Sequence, residues 1–304
     1  MTKELLVLTG PTASGKSDVC DILAERLACR VINCDSKQIY AGLPVITDQP
    51  AASHNKELYR LYGYISPTVN YSVGLWLEDA KREILQSFNL GLLPIVTGGS
   101  GLYVNSLTDG MSTIPKIPPH VRKNAQETLE TMGNDAFYDL LIKIDNNAKK
   151  IDKGNTHKIL RAYEVIKHTG TSIFLWRERF PRIPTFKNCK ILVLLPPKET
   201  LYNKINKRFL EMVNSDALSE VQYLMSLNLP EHLPIMKAHG VPEMIRYLRG
   251  EIDLAHAIEI AQKNTRHYAK RQRTWFKTQM TKNTLFFESR DEIMHYFDTH
   301  YPTK

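Results

Sequence analysis

Short apolar runs alternate with longer amphipathic stretches along much of the chain. The runs rich in Leu, Ile and Val predict strands at residues 4–9, 31–34, 93–97, 190–195 and 284–287. Helical periodicity covers residues 16–28 and 72–89, which lie between these runs. Strands that alternate with helices favour an α/β fold whose parallel strands are joined by crossover helices.

The pattern changes between residues 114 and 184. Proline residues mark both ends of this segment, and helical stretches fall at 121–132, 135–144 and 156–169. We predict an inserted helical domain over residues 114–184. It would separate a first core part, 1–113, from a second core part, 185–304, in which helices dominate from 198 to 277.

The composition is that of a folded globular protein. Of 304 residues, 42% are hydrophobic and 24% are charged, and no apolar run approaches the roughly 18 residues that a membrane span needs. Residues 1–4 lead directly into the first predicted strand, without the pattern of an export signal. We therefore expect a cytoplasmic protein with no membrane attachment.

The formal charge of +8 is concentrated in two segments. Residues 149–190 carry eleven Lys and Arg against three acids, and residues 263–282 carry seven Lys and Arg and no acid. These segments contribute +8 and +7, so the remainder of the chain sums to −7. Such segregation indicates a polyanionic partner.

The second cationic segment has helical spacing. A stripe of five cations recurs at steps of three and four, formed by Lys263, Arg266, Lys270, Arg273 and Lys277. A solvated helix face is the alternative, but such faces usually carry acids at i,i+4, and this stripe carries none. We therefore favour binding to a nucleic-acid backbone.

A phosphate-loop motif follows the first predicted strand. Gly10, Pro11, Thr12, Ala13, Ser14, Gly15, Lys16 and Ser17 match GxxxxGK[ST]. Because the match lies between a predicted strand and a predicted helix, it predicts a site for a diphosphate or triphosphate. Lys16 would contact the outer phosphate, and the Ser17 hydroxyl would be a ligand for Mg²⁺.

The strand ends do not carry the second motif of an ATP-consuming enzyme. Phosphate-loop kinases and hydrolases place Asp at the end of an apolar strand to anchor the metal, whereas the strand at 93–97 ends in Gly98-Gly99. The acid that directly follows a predicted strand is instead Asp35, after the strand at 31–34. The loop can therefore hold phosphate without ATP being spent. A capping or turn role for Asp35 is the competing interpretation.

Five segments together resemble the tRNA dimethylallyltransferases, which isopentenylate an adenosine beside the anticodon. They are residues 10–17, 35–40, 98–103, 161–165 and 265–275. The resemblance implies a P-loop NTPase-like core, a parallel sheet flanked by helices, with tRNA gripped between this core and the helical insertion. It also implies that dimethylallyl diphosphate enters from the opposite side and that the phosphate loop binds its diphosphate.

The resemblance assigns catalytic roles to Asp35, Lys16, Ser100 and Arg208. Asp35 would accept the proton of the adenine amine, while Lys16 and Arg208 would stabilise the departing diphosphate. Ser100 stands where the family usually has Thr and keeps the hydroxyl. Other departures from the usual pattern are Lys37, Ile46, Gln49, Asn155, His157 and Lys158.

The resemblance and the cationic stripe also predict the contacts with RNA. The predicted tRNA-binding residues are Asp35, Ser36, Lys37, Gln38, Ser100, Arg122, His157, Lys158, Ile159, Leu160, Arg161, Arg266, Lys270 and Arg273. We expect a monomer that binds the anticodon stem-loop, dimethylallyl diphosphate and Mg²⁺. A small-molecule or nucleotide kinase and a phosphate-loop RNA-binding protein without chemistry remain alternatives. The cationic stripe disfavours the first, and Asp35 and Ser100 disfavour the second.

Overall fold

The computed structural model describes residues 4–51, 54–186, 188–280 and 284–301. Residues 1–3 and the cationic-segment residues Lys187 and Lys282 lie outside these ranges. The described strands are β1 (Leu5–Thr9), β2 (Cys29–Asn33), β3 (Tyr59–Arg60), β4 (Leu93–Gly98), β5 (Cys189–Leu194) and β6 (Thr284–Phe287). They form one sheet in the order β3-β2-β4-β1-β5-β6, and every pairing is parallel. The predicted parallel α/β fold is confirmed.

Helices follow most of the strands. They are α1 (Lys16–Arg26), α2 (Val73–Asn89), α3 (Gly101–Thr108), α4 (Pro119–Ile144), α5 (Thr156–Thr169), α6 (Ile173–Arg179), α7 (Lys198–Val213), α8 (Ala217–Ser226), α9 (Val241–Leu248), α10 (Leu254–Gln279) and α11 (Arg290–His300). None of the described helices is long and apolar enough to cross a membrane.

The central strand β1 is buried on both faces. Leu5 and Val7 pack into a cluster with α2, α3, α8, α9 and α10, whereas Leu6 and Leu8 pack against α1 and α11 on the opposite face. Successive side chains of a strand point to opposite faces, so a parallel strand covered by helices on both sides reads as a continuous apolar run. This run is the LLVLT segment, from which the sequence analysis predicted β1.

The chain divides into two compact units. We call residues 109–185 the helical unit and the remainder the core unit. The smaller unit contains α4, α5 and α6, around a core that includes Phe137, Ile159 and Tyr163. α4 is interrupted at Gly133, whose φ of 76° and ψ of 164° are not helical. This interruption separates the two helical stretches that the sequence pattern gives at 121–132 and 135–144.

Two details of the sheet differ from the sequence pattern. β2 begins at Cys29 instead of residue 31, because Cys29 and Arg30 pair with Leu93 and Pro94 of β4. β3 has only two residues and was not predicted, since a pair of residues shows no periodicity.

Candidate active site

Three segments that carry predicted site residues meet at one edge of the sheet. The phosphate loop follows β1, the segment with Asp35 follows β2, and a glycine-rich turn at residues 98–101 follows β4. Because β2, β4 and β1 are adjacent and parallel, their carboxyl ends lie side by side. A hydrogen bond from Thr9 Oγ1 to the Gly98 carbonyl oxygen, 2.7 Å long, joins two of these ends.

The phosphate loop is folded as an anion cradle. Gly15, at the start of α1, has a φ of 98°, and Ala13 has a φ of 62° although it is not glycine. Strained backbone of this kind is typical of ligand-binding loops. The Lys16 amino group donates to the Pro11 carbonyl at 2.7 Å and to Ser14 Oγ at 3.2 Å, so it lies over the loop. The free amides of the first turn of α1 complete the cradle.

The charge of Lys16 depends on its surroundings. Burial lowers its pKa to about 8, the negative charge of Asp35 opposes this shift, and the nearby Arg208 adds to it. Since desolvation disfavours the charged ammonium, an anion that arrives beside it stabilises the protonated form.

Asp35 is held by a tight local turn. Its backbone N–H donates to Asn33 Oδ1 at 2.8 Å, and its Oδ1 accepts the backbone N–H of Lys37 at 2.9 Å. Asn33 is fixed in turn by a hydrogen bond to the Leu61 carbonyl at 2.9 Å. The second carboxylate oxygen of Asp35 accepts no hydrogen bond from the described residues. Asp35 therefore does stabilise a turn, and this role uses only its Oδ1.

The glycine-rich turn after β4 brings its backbone against the Asp35 segment. A Cβ atom on Gly98 would lie 2.2 Å from the Cys34 carbonyl carbon, so a side chain cannot be accommodated there. Next to it lies Ser100, a residue that is 8% exposed, and its hydroxyl accepts the Ser36 backbone N–H at 2.9 Å. Ser100 is therefore linked to the segment of Asp35 through the backbone of Ser36, and its predicted catalytic role stays a prediction.

Gln272 of α10 joins the phosphate loop to the glycine-rich turn. Its Oε1 accepts the backbone N–H of Thr12 at 2.9 Å, and its Nε2 donates to the Gly99 carbonyl at 2.8 Å. The residue is 6% exposed. Sequence reasoning missed Gln272, although it lies within the segment 265–275 that carries the family resemblance.

Arg208 reaches the phosphate loop from α7. Its Nη2 donates to Thr12 Oγ1 at 2.7 Å, and its Nη1 lies 2.5 Å from Oδ2 of Asp48. The guanidinium is therefore placed beside the phosphate loop. Its predicted contact with a diphosphate stays a prediction. Asp48 was not predicted.

Residues 12–17 of the phosphate loop, Asp35 and Arg208 line one cavity of about 790 Å³, whereas Ser100 and Gln272 do not line it. The phosphate loop, Asp35 and Arg208 form its polar part. Ile46, Phe209 and Met212, which also line the cavity, supply apolar surface. A cavity of this size with a few convergent polar groups is typical of a small-molecule site.

Two aromatic rings flank the polar part of the cavity. His239 and Tyr268 lie with ring centroids 4.4 Å apart, and both line the cavity. Burial lowers the pKa of His239 to about 4, helped by the nearby Lys37, so the imidazole is neutral at physiological pH. Neither ring was predicted, because a lone His and a Tyr have no motif of their own.

Lys37 enters the same cavity. Its amino group donates to the Pro234 carbonyl, and burial lowers its pKa to about 8 against the opposing effect of Asp35. Ser36 and Gln38 also line the cavity. The predicted segment 35–38 is therefore gathered at the site as a whole.

Some cations of the stripe on α10 are exposed, and others are bonded to the protein. Lys263, Lys270 and Lys277 are exposed, whereas Arg266 donates to Asn206 Oδ1 at 2.6 Å and Arg273 donates to the Leu195 and Pro196 carbonyls. Both arginines thus connect α10 to other parts of the core unit. Their contact with RNA stays a prediction.

The predicted RNA-binding residues of the helical unit differ in how far they are exposed to solvent. His157 and Lys158 are exposed, Arg122 and Leu160 are half-buried, and Arg161 pairs with Glu164 at 3.0 Å. Ile159 has no exposed surface, because its side chain packs in the core of the unit. The side chain of Ile159 is therefore not accessible to tRNA, and its predicted contact stays a prediction for the backbone of this segment.

The site offers few ligands to a metal. Among the described residues no three His, Cys, Asp or Glu side chains cluster as a metal site, and the four cysteines are free thiols. Ser17, at the start of α1, is exposed and lines the cavity. A divalent cation here would take most of its ligands from a phosphate group and water.

Comparisons with known proteins identify the family of this chain. Residues 38–279 match the family model described as IPP transferase. The chain is 59% identical over 304 residues to the tRNA dimethylallyltransferase of Anaplasma phagocytophilum (strain HZ), with 100% of this chain and 97% of the relative covered.

Solved structures agree as well. The full-length tRNA isopentenylpyrophosphate transferase from Bacillus halodurans is 29% identical, with a TM-score of 0.69, and the match covers 98% of this chain and 95% of that one. A eukaryotic dimethylallyltransferase acting on tRNA has a TM-score of 0.81 at 22% identity, covering 99% and 77% of the two chains, which shows a common fold. With a family model that spans most of its length and a relative that matches it from end to end, the chain belongs to the IPP transferase family.

Proposed function

We propose that the protein transfers the dimethylallyl group of dimethylallyl diphosphate to N6 of the adenosine on the 3′ side of the anticodon in tRNA, releasing diphosphate. The observation that carries this proposal is that the phosphate loop and Asp35 line one cavity in a chain of the IPP transferase family. The Anaplasma phagocytophilum relative bears the name tRNA dimethylallyltransferase, which supports the same reaction here.

The donor fits the cavity in one orientation. Its diphosphate would bind residues 10–17, with Lys16 and the Arg208 guanidinium as charged partners, because both donate hydrogen bonds to this loop. Its five-carbon chain would lie on the apolar surface of Ile46, Phe209 and Met212. This orientation directs C1 of the donor toward the polar part of the cavity.

The acceptor adenine must leave the stack of the anticodon loop to enter the cavity, at a cost of a few kcal/mol. The rings of His239 and Tyr268 give it a surface to stack against. Oδ2 of Asp35 is then available to accept a hydrogen bond from the exocyclic amine.

In the reaction, N6 attacks C1 of the dimethylallyl group, the bond from C1 to the diphosphate oxygen breaks, and Asp35 takes the proton that N6 loses. Negative charge grows on the leaving diphosphate. Lys16, Arg208 and the loop amides can stabilise that charge more strongly than the charge of the ground state, and this difference accelerates the step.

We assign Mg²⁺ as the cation that accompanies the diphosphate. Ser17 would be its protein ligand, at the first turn of α1. No cluster of three His, Cys, Asp or Glu is found among the described residues, and Mg²⁺ commonly keeps several waters and takes its other ligands from phosphate groups. When bound, the cation would neutralise part of the diphosphate charge.

We assign contacts with the RNA within each unit by itself. In the core unit we assign contacts to residues 35–38, Ser100 and α10, and in the helical unit to Arg122, His157, Lys158, Leu160 and Arg161. Phosphate contacts from such cations position an RNA, while polar side chains near the flipped base read it. We further propose that the active form is a cytoplasmic monomer.

The decisive experiment uses purified protein with labelled dimethylallyl diphosphate, Mg²⁺ and unmodified tRNA, without ATP. We expect label in tRNA and N6-dimethylallyladenosine in the digested nucleosides. A strict requirement for ATP with release of ADP would instead identify a kinase, which the family membership does not favour.

The matched control is Asp35→Asn, which keeps an oxygen for the Lys37 amide but cannot take a proton. Single-turnover transfer should fall by about 10²–10⁴, while the Kd for tRNA stays within a few-fold. Unchanged transfer with weakened tRNA binding would remove Asp35 from the role of base.

A further inference from the structure

Asp48 is an acid beside a cavity built for an anion. Its Oδ2 lies 2.5 Å from Nη1 of Arg208, and its side chain is 42% exposed. The backbone of Asp48 has a φ of 61°, in the left-handed region that non-glycine residues rarely adopt. The fold therefore holds this carboxylate in place against both local strain and the charge of the expected ligand.

The loop that carries Asp48 is fixed from outside the cavity. Glu220 of α8, 8% exposed, accepts the backbone N–H groups of Val45 and Ile46, each at 2.8 Å. The side-chain amide of Gln38 donates to the Asp48 carbonyl. These bonds tie the loop to α8 and to the Asp35 segment, so Asp48 has little freedom to move away from Arg208.

The guanidinium is fixed by two partners in different segments. Nη1 contacts Asp48, and Nη2 donates to Thr12 Oγ1 at 2.7 Å. An arginine on a helix surface loses considerable rotamer entropy when it adopts a single orientation. A preset orientation removes that loss from the step in which the guanidinium meets the diphosphate.

We propose that Asp48 is a positioning residue, which holds Arg208 against the phosphate loop and in doing so weakens the binding of the diphosphate. Asp48 repels the ligand and occupies one nitrogen of Arg208, which favours release of the diphosphate product. In exchange, the guanidinium is already in place when the bond to the leaving group breaks. The inference rests on the proposed function in one respect, namely that the anion is a diphosphate.

The test compares Asp48→Asn and Asp48→Glu in the full chain. Asn keeps the side-chain shape and tolerates the left-handed backbone, so it removes the charge alone. We expect kcat for prenyl transfer to fall about tenfold in Asp48→Asn, because a neutral amide oxygen holds the Arg208 guanidinium less firmly than a carboxylate does. Asp48→Glu, which restores the charge, should recover most of kcat.

A second measurement does not need catalysis. Calorimetric titration with inorganic pyrophosphate and Mg²⁺, without tRNA, should give a Kd about 3–10-fold lower for Asp48→Asn than for the unmodified chain, because an exposed like charge is removed. Thermal unfolding of each variant separates this result from misfolding. If the chain transfers no prenyl group, the proposed function fails, while tighter pyrophosphate binding in Asp48→Asn would still support the inference.

The double variant Asp48→Asn with Arg208→Gln distinguishes positioning from a purely structural role. With no guanidinium to orient, Asp48→Asn should reduce kcat no further in the Arg208→Gln background. Equal losses in both backgrounds would overturn the proposal. Pyrophosphate binding that is unchanged or weaker in Asp48→Asn would overturn it as well.

Discussion

The Ser100 hydroxyl accepts the backbone N–H of Ser36 at 2.9 Å, so the turn after β4 holds the segment that begins with Asp35. The same hydroxyl lies 3.3 Å from Ser36 Oγ and can donate to it. The residue that the family usually has at this position, Thr, could make both contacts. This link ties the candidate base to the glycine-rich turn.

Replacing Ser100 by Ala should therefore impair both stability and catalysis. The Ser36 amide would no longer have its acceptor, at a cost of about 1–3 kcal/mol, and Asp35 would be free to leave its productive position. We expect kcat to fall about 10–100-fold, with the Kd for tRNA changed only a few-fold. Ser100→Thr is the control and should retain activity within a few-fold. Equal activity of Ala and Thr variants would show that the contact is dispensable.

The pKa of Lys16 predicts the alkaline limit of the reaction. At about 8 in the unliganded protein, the amino group is charged below that pH and loses its charge as the pH rises through it. Since diphosphate binds the charged form, kcat/KM for dimethylallyl diphosphate should fall above about pH 8. The measurement is a pH profile of kcat/KM at saturating tRNA.

Lys37 has a similar pKa, about 8, and must be separated from Lys16. Lys37→Met removes one of the two titrations, and the alkaline fall should persist in that variant. Lys16→Arg carries a charge at every pH used, and its profile should lose the fall whatever its absolute rate. A fall that vanishes with Lys37→Met would transfer the assignment to Lys37.

Gln272 should be required for the shape of the phosphate loop. Gln272→Met has similar volume but leaves the Thr12 amide and the Gly99 carbonyl without partners. We expect the free energy of unfolding to fall by about 1–3 kcal/mol for each group left unpaired and KM for dimethylallyl diphosphate to rise. Chemical denaturation and steady-state kinetics measure the two effects.

The control for this variant is Gln272→Glu, which keeps the acceptor for Thr12 and removes the donor to Gly99. It should preserve KM better than Gln272→Met does. If both variants bind the donor like the unmodified chain, Gln272 would be a core residue without influence on the loop.

Sequence alone predicted the parts of the site that have local signatures. The phosphate loop is a contiguous motif, and Asp35 and Ser100 each follow a strand whose apolar run is easy to recognise. Parallel strands then bring these segments to one edge of the sheet. The α/β fold followed from the same alternation of strands and helices.

The remaining groups come from distant parts of the chain. Gln272 meets Thr12 across 260 positions, and Arg208 meets Asp48 across 160. Helical periodicity gives the face of a helix but not its neighbour, so it placed Arg266 and Arg273 on a cationic stripe without revealing that both bond to the protein. The sequence likewise did not reveal that the side chain of Ile159 on α5 packs in a core.

This division of the stripe leads to a prediction about tRNA binding. Lys263, Lys270 and Lys277 are exposed on α10 and able to neutralise phosphates, so their combined replacement by Gln should weaken tRNA binding. The slope of log K against log salt should become shallower by up to about 0.7–0.9 for each phosphate that is no longer neutralised. The melting temperature should change little, because the three side chains extend into solvent.

Arg266→Gln provides the contrast, because its guanidinium is engaged with Asn206 at 2.6 Å. Here we expect lower thermal stability and a salt slope close to that of the unmodified chain. Binding would be measured by fluorescence anisotropy with a labelled anticodon stem-loop at several salt concentrations. If the triple lysine variant kept the original slope, the exposed lysines would be a solvated face, and the RNA would be held elsewhere.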